Sequence, residues 1–404
     1  MTGLRPALEG WVPPLIVVGG PTATGKTGFA LDAAVALQGA GIPAAIVNAD
    51  AMQLYRGMEI GTAKTPVDER REVPHLLFDE LEVTARASVA AYQQRARSEI
   101  ERLQSAGVVP FLVGGSGLYL ESVIHDLHFP GSDPDIRAQV IRELDEHGPE
   151  PLLSELAGRA PAEAERLRGG DPRRLIRSIE VLRLTGEPAR SALPERPRPW
   201  RPYTLIVIDF DDRALLAQRI RGRAEQMWAS GLAGETDRLL DRGLRGSPTA
   251  SKAIGYAQAM EFLDGTMTAS EAVDQISRAT VKLTKRQRTW FRRYPDATRL
   301  DGASLSPDSG RALAATIIAD HVVWRIHGGA GPSAAAQGTA GTSTPFSALF
   351  HPGSRGTAGT GDRTAPDGPG PGPGAISPHS AASEADPDDE ARPDGQGTES
   401  RMDP

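Results

Sequence analysis

Four short apolar runs set the rhythm of the first half of the chain: Pro14–Gly20 (PLIVVGG), Ala44–Asp50 (AAIVNAD), Val108–Gly115 (VVPFLVGG) and Tyr203–Phe210 (YTLIVIDF). Each is continuous rather than alternating, the pattern of a strand covered on both faces. A helical stretch follows the first run from Thr27 to about Leu37, and Ser88–Ser105 predicts another just ahead of the third run. Strand, helix and strand in that order predict a parallel sheet with crossover helices. From about His125 to Arg201 the apolar runs shorten, charges multiply and prolines punctuate, as in LPERPRPWRP (Leu193–Pro202), so a small helical insertion is expected. From Asp212 to Arg293 the reading is almost wholly helical, with turn signals at Gly231, Gly243, Gly246 and Gly265. No repeat at solenoid spacing is present.

Beyond Gly328 the pattern dissolves. The last 77 residues hold 15 Gly and 11 Pro, a composition that sustains no core, and the segment 328–404 is expected to be disordered. It also carries most of the formal charge of −7: 4 Arg stand against 10 acids there, which leaves 41 cations and 42 acids in a nearly neutral body. Within that body, seven Lys or Arg lie between Lys282 and Arg299 with Asp296 the only acid, a local basic stretch that suggests a polyanionic partner. Trp290, Phe291 and Tyr294 interleave with these cations, which suits phosphate contact plus base stacking, although on a helix Trp290 is equally a core residue.

With 39% apolar and 24% charged residues, 404 residues suffice for one large domain or two modest ones. The absence of cysteine excludes disulfides, thiolate metal sites, iron–sulfur clusters and a cysteine nucleophile. Leu15–Val18 and its neighbours fall far short of a membrane span and lack the layout of a signal peptide, so a cytoplasmic protein without membrane association is expected.

Gly20-Pro21-Thr22-Ala23-Thr24-Gly25-Lys26-Thr27 is a complete G-x-x-x-x-G-K-T phosphate loop between a buried strand and a helix. Its glycines let backbone N–H groups wrap an anion, Lys26 adds a point charge, and the Thr27 hydroxyl is a candidate magnesium ligand. The loop does not name the compound that carries the phosphate. Asp50 closes the second run; at the carboxyl end of a parallel strand it should face the same crevice, as a metal ligand, a general base or a plain turn residue. Val113–Tyr119 (VGGSGLY) places two glycines and a hydroxyl at that edge. The fold expected is therefore α/β: a P-loop NTPase-like parallel core begun by residues 12–124, a helical insertion at 125–201, and core completion with C-terminal helices at 202–327. Arg223 lies in a helical pattern with Met227, and Arg173, Arg174 and Arg177 start a helix after Asp171-Pro172; such arginines commonly form solvated faces. His125 and His128 have no partner in sequence that would make them a metal site.

GPTATGKT, NADAMQLYRGMEIGTAK (Asn48–Lys64), PHLL, VGGSGLYL, DPRRLIRSIEVLRLTGEP (Asp171–Pro188), AIGYAQAMEFLDG and KRQRTWFRR (Lys285–Arg293) occur in the order found in tRNA dimethylallyltransferases, which the chain resembles from about Val17 to Arg299. The resemblance implies transfer of a dimethylallyl group from dimethylallyl diphosphate to N6 of adenosine 37, just 3′ of the anticodon, in tRNAs reading codons that start with U. It implies that Gly20–Thr27 hold the donor diphosphate, that Thr22, Asp50 and Arg223 are catalytic with Asp50 as general base, and that Mg²⁺ assists through Thr27. It further implies tRNA contacts by Asp50, Ala51, Met52, Gln53 and Ser116, by Arg173, Arg174, Leu175, Ile176 and Arg177, and by Lys285 and Arg286, in an enzyme expected to act as a monomer on the anticodon stem-loop. Departures are small: Ala51 stands where the family has Ser, Ser116 where it has Thr, Val281 where it has Arg, and the Pro after GTAK is displaced to Pro66. Other readings of the same residues are a small-molecule P-loop kinase, an adenylate isopentenyltransferase acting on free nucleotide, and a non-enzymatic RNA-binding protein whose loop senses nucleotide.

Overall fold

The computed structural model describes residues 11–188 and 198–326, with side chains to His321; the Gly/Pro-rich segment 328–404 lies outside the described residues. Six strands form one sheet: β1 (Leu15–Gly19), β2 (Ala44–Asn48), β3 (His75–Leu76), β4 (Val109–Gly114), β5 (Tyr203–Asp209) and β6 (Thr298–Asp301). Their order is β3-β2-β4-β1-β5-β6 and every pair is parallel. The four predicted runs are its inner strands. The two edge strands were not predicted, because two and four residues carry no apolar run to read.

Alternation within β1 builds two cores. Ile16 and Val18 pack with Phe29 and Leu37 of α1 (Lys26–Gly39) and with Ile317 of α12 (Pro307–Ile326). Leu15 and Val17 face the other way, toward Ile100 of α2 (Val89–Ser105) and Val123 of α3 (Gly117–Ile124). Helices on both faces make each inner strand apolar throughout, which is why they read as continuous runs.

Between α3 and β5 stand α4 (Pro134–His147), α5 (Pro149–Ala157), α6 (Pro161–Leu167) and α7 (Pro172–Thr185). Each begins with proline, whose missing N–H costs nothing in a first turn. Val140, Leu152, Leu156, Leu175 and Ile179 give these helices a core of their own. After β5 come α8 (Arg213–Ala229), α9 (Leu232–Asp241), α10 (Tyr256–Leu263) and α11 (Ala269–Phe291). They share a further core with Tyr55 and Met58 from the loop after β2. At 23 residues α11 spans about 35 Å. Ile276 near its start belongs to this bundle core and Phe291 at its end to the sheet, so one helix ties the bundle to the strand ends.

Candidate active site

The phosphate loop leaves β1 at Gly20, whose φ is +139°. A Cβ there would lie 2.0 Å from the carbonyl oxygen of Ile208 in β5, so glycine is required for both reasons. The Thr24 hydroxyl and the Lys26 ammonium both donate to the carbonyl of Pro21, at 2.9 and 2.5 Å. Gly25 caps α1 with no side-chain partner for the first-turn amides, which therefore face the cleft as an anion site. Burial pushes Lys26 down to about 7; the carboxylate of Asp50 works against that shift and the guanidinium of Arg223 adds to it. Thr27 follows, exposed at the cleft.

Asp50 is held by its neighbours. Buried Asn48 accepts from the Asp50 N–H at 2.8 Å and donates to the carbonyls of Asp50 and Leu77 at 3.0 and 2.9 Å. One carboxylate oxygen of Asp50 accepts from the Met52 N–H at 2.9 Å. Among the described residues no hydrogen bond engages the other. The Ser116 hydroxyl accepts from the Ala51 N–H at 3.3 Å, so the end of β4 and the loop after β2 are joined directly.

Gln287 of α11 is the organising residue the sequence reading did not single out. Its side chain accepts from the Thr22 N–H at 2.9 Å and donates to the Gly115 carbonyl at 2.9 Å, bridging the phosphate loop to the end of β4. Next to it, Arg288 forks onto Asp209 at the end of β5, at 2.7 and 2.9 Å. The basic stretch is thus only partly a surface. Arg288 is spent on Asp209, Arg293 pairs with Glu121 at 3.3 Å, and Arg299 donates to the carbonyls of Phe291 and Tyr294. Lys282 and Lys285 are exposed, and Arg286 reaches a cleft. Trp290 lies against Gly117 and lines that same cleft. Val281 packs against Phe210, Leu216 and Ile220, so the residue that the resemblance marks as a departure is turned toward an apolar cluster.

Two clefts meet over the strand ends. One, of about 430 Å³, is floored by Gly25, Lys26 and Thr27 and includes Gln53, whose amide donates to the Thr62 carbonyl at 3.1 Å. The other, of about 450 Å³, is walled by Met52, Ile254, Ile276 and Leu283, with Ser116, Lys252 and Arg286 at its polar positions. Thr22, Asp50 and Arg223 line both. Arg223 comes from α8, and burial lowers its hold on a proton while Asp50 restores it. Lys252 was missed because it lies in a short turn without a motif.

Arg173, Arg174 and Arg177 line neither cleft. Arg173 forks onto Asp171, the cap of α7, and Arg177 donates to the carbonyls of Pro130 and Gly131 at 2.7 and 3.1 Å. Arg173 and Arg174 are exposed. Leu175 and Ile176, expected beside them as tRNA contacts, are turned into the core of the insertion at 3% and 7% exposure; α7 is amphipathic, and a solvent-facing arginine run forces the next two positions inward. His125 is buried, with its Nε2 3.1 Å from the Tyr203 hydroxyl.

An anion cradle facing a held carboxylate across a boundary shared with an apolar cleft defines a P-loop enzyme that transfers a group carried on phosphate. The IPP transferase family matches residues 53–294. The tRNA dimethylallyltransferases of Clavibacter sepedonicus and Salinispora arenicola are 47% and 45% identical over 288 and 303 residues, covering 71% and 74% of this chain and 93% and 86% of their own. The crystal structure of a full-length tRNA isopentenylpyrophosphate transferase from Bacillus halodurans is similar at a TM-score of 0.54 and 33% identity, over 78% of this chain and 98% of that one. A eukaryotic dimethylallyltransferase, 21% identical, shares the fold at a TM-score of 0.64. The chain belongs to the IPP transferase family and is an enzyme of the tRNA dimethylallyltransferase type. Among its described residues no helix is long and apolar enough to cross a membrane.

Proposed function

We propose that the enzyme moves the dimethylallyl group of dimethylallyl diphosphate to N6 of adenosine 37 in tRNAs reading codons that start with U, with the donor's diphosphate in the loop cleft and the purine in the apolar one. The observation that carries this reading is the boundary itself: Thr22, Asp50 and Arg223 are among the residues that line both clefts, so groups bound on either side meet beside them. An exocyclic amine conjugated to a purine is a weak nucleophile, and a carboxylate accepting its proton raises its reactivity. As the N6–C1 bond forms, the C1–O bond breaks; its electron pair stays on the diphosphate and the N6 proton passes to Asp50. Lys26, Arg223 and the free amides of α1 stabilise the charge that collects on the leaving oxygens, and the Thr22 hydroxyl stands beside them. The donor set fits magnesium held chiefly by substrate, since the lining of the loop cleft offers a single carboxylate, Asp50, beside threonine hydroxyls that include Thr27. Bound there, magnesium would supply further neutralisation of the diphosphate.

The purine must leave its stack to reach Asp50, with Ala51, Met52 and Ser116 lining the apolar cleft it enters and Gln53 on the loop-cleft side of Asp50. Exposed Arg173 and Arg174 on the insertion, with Arg177 at its base and Lys285 and Arg286 on α11, supply phosphate contacts along the anticodon stem. One chain carries both clefts, so we read the active species as a monomer, working in the cytoplasm where its tRNA is.

The test is mass spectrometry of nucleosides from unmodified tRNA incubated with enzyme, Mg²⁺ and dimethylallyl diphosphate. One adenosine heavier by a prenyl group is expected; ADP formed from ATP with RNA unchanged would replace this reading by a kinase. Asp50→Ala is expected to lower turnover by about 10²–10⁴-fold while tRNA binding stays near wild type. Full turnover in that variant refutes the assigned base.

A further inference from the structure

Gln287 stands where the phosphate loop, the end of β4 and the apolar cleft come together. It lines that cleft, is only 9% exposed, and uses both ends of its amide: Oε1 accepts from the Thr22 N–H and Nε2 donates to the Gly115 carbonyl, each at 2.9 Å. A carbonyl takes only a donor and an N–H only an acceptor, so a single orientation of the amide satisfies both. The helix beneath it is fixed on either side. Arg288 forks onto Asp209, and the Phe291 ring, one turn on, packs so closely on Gly19 that a Cβ there would lie 2.5 Å from it. A Cβ at Gly115 would likewise lie 2.6 Å from Nε2, so the bare backbone at that position is what lets the amide approach.

What the amide holds is a strained turn. Ala23 follows Thr22 with a φ of +65°, in the left-handed region that a residue bearing a Cβ disfavours. The Ala23 carbonyl accepts from Arg219 Nε at 3.3 Å, and the Pro21 carbonyl ahead of the turn is taken by Thr24 and Lys26. Between these two fixed carbonyls, among the described residues, the Thr22 N–H has no acceptor other than Gln287. That N–H is therefore not one of the amides offered to an anion, and Gln287 acts on the shape of the loop rather than on the charge of the donor. Released from it, Ala23 relaxes toward negative φ and carries Thr22 away from the border where it stands with Asp50 and Arg223. Resting on the transfer proposed above, in which Thr22 stands beside the leaving oxygens, we propose that Gln287 is a positioning residue for that reaction. It keeps the Thr22–Ala23 turn in its reactive shape while both ends of its own amide are spent on backbone.

The experiment is steady-state prenyl transfer from dimethylallyl diphosphate to tRNA by four proteins: wild type, Gln287→Met, Ala23→Gly and the double variant. Methionine has the same chain length without the amide. Gln287→Met is expected to lower kcat by about 10–100-fold, the cost of a misplacement on the order of 1 Å. KM for both substrates is expected to stay within about 3-fold, as for an interaction that counts only in the transition state. Glycine takes positive φ at no steric cost, so the same substitution made on top of Ala23→Gly is expected to cost less than about 5-fold. A general loss of packing around Gln287 would cost the same in both backgrounds. If Gln287→Met does not fold, Gln287→Asn, which keeps the amide but falls one methylene short of its partners, is read instead with the same expected pattern. Wild-type kcat in the variant, a loss carried by KM alone, or an equal loss in both backgrounds overturns the positioning role. Failure of wild type to transfer the prenyl group overturns instead the reaction reading on which that role rests.

Discussion

Folded back onto its own loop, Lys26 holds its proton only to about pH 7, yet the cleft it lines has to receive an anion. A bound diphosphate favours the charged ammonium and raises that value, so at slightly alkaline pH donor binding must draw a proton from solution. Calorimetry of dimethylallyl diphosphate binding at pH 7.5, in buffers of different ionisation enthalpy, should show uptake of about half a proton or more, absent in Lys26→Met. Affinity should accordingly fall as pH rises above 7. A heat independent of buffer would refute the coupling. At this scale the sequence was informative where chemistry is local: the eight-residue loop and Asp50 at a strand end are contiguous patterns. Gln287 was opaque because its two partners lie 265 and 172 residues away, a relation only the closed fold creates.

Elements were legible in proportion to the length of their periodic pattern. The inner strands and the proline-started helices of the insertion follow from residues adjacent in sequence. The edge strands β3 and β6 do not, since their pairing depends on neighbours already in place. The basic stretch at the end of α11 and just beyond it is only partly a surface for the same reason, because Arg288 and Arg293 meet acids from β5 and α3. The junction of α3 with α11 yields a prediction at this scale. Burial, with the guanidinium of Arg293 beside it, pushes His125 down to about 4, while Glu121 at 3.9 Å and the Tyr203 hydroxyl at 3.1 Å face its ring. An unfolded chain binds a proton at this histidine below about 6.5 and the native one only below about 4. Between those values the unfolded state holds more protons, so this residue makes stability fall as pH drops through that window. Melting temperatures of wild type and His125→Gln, compared from pH 7 to pH 4, should show a shallower decline for the variant. Parallel curves would remove His125 from the account.

At the scale of the whole molecule, similarity and charge divide the chain at nearly the same place. The Clavibacter relative is matched over 93% of its own length by only 71% of this chain, so what it needs for the reaction is contained in the part that resembles it. The family match ends at residue 294, and both clefts are lined by residues ahead of that point. Residues 328–404 add a net charge of −6 to a body close to neutral. A polyanionic substrate is repelled by that charge, and the repulsion is felt most where salt screens least, at a Debye length of about 30 Å in 0.01 M salt against about 10 Å in 0.1 M. A chain ending at His327 is therefore expected to keep kcat within about two-fold, since it retains the whole family match and every residue that lines the two clefts. Its KM for tRNA should be lower than that of the full chain at 0.01 M salt and the same at 0.2 M, where the charges are screened. Steady-state prenyl transfer by the two proteins across that salt range measures both quantities. A large loss of kcat on truncation would mean that the acidic segment takes part in catalysis, and a KM difference that persists at high salt would mean that its effect on tRNA is not one of charge.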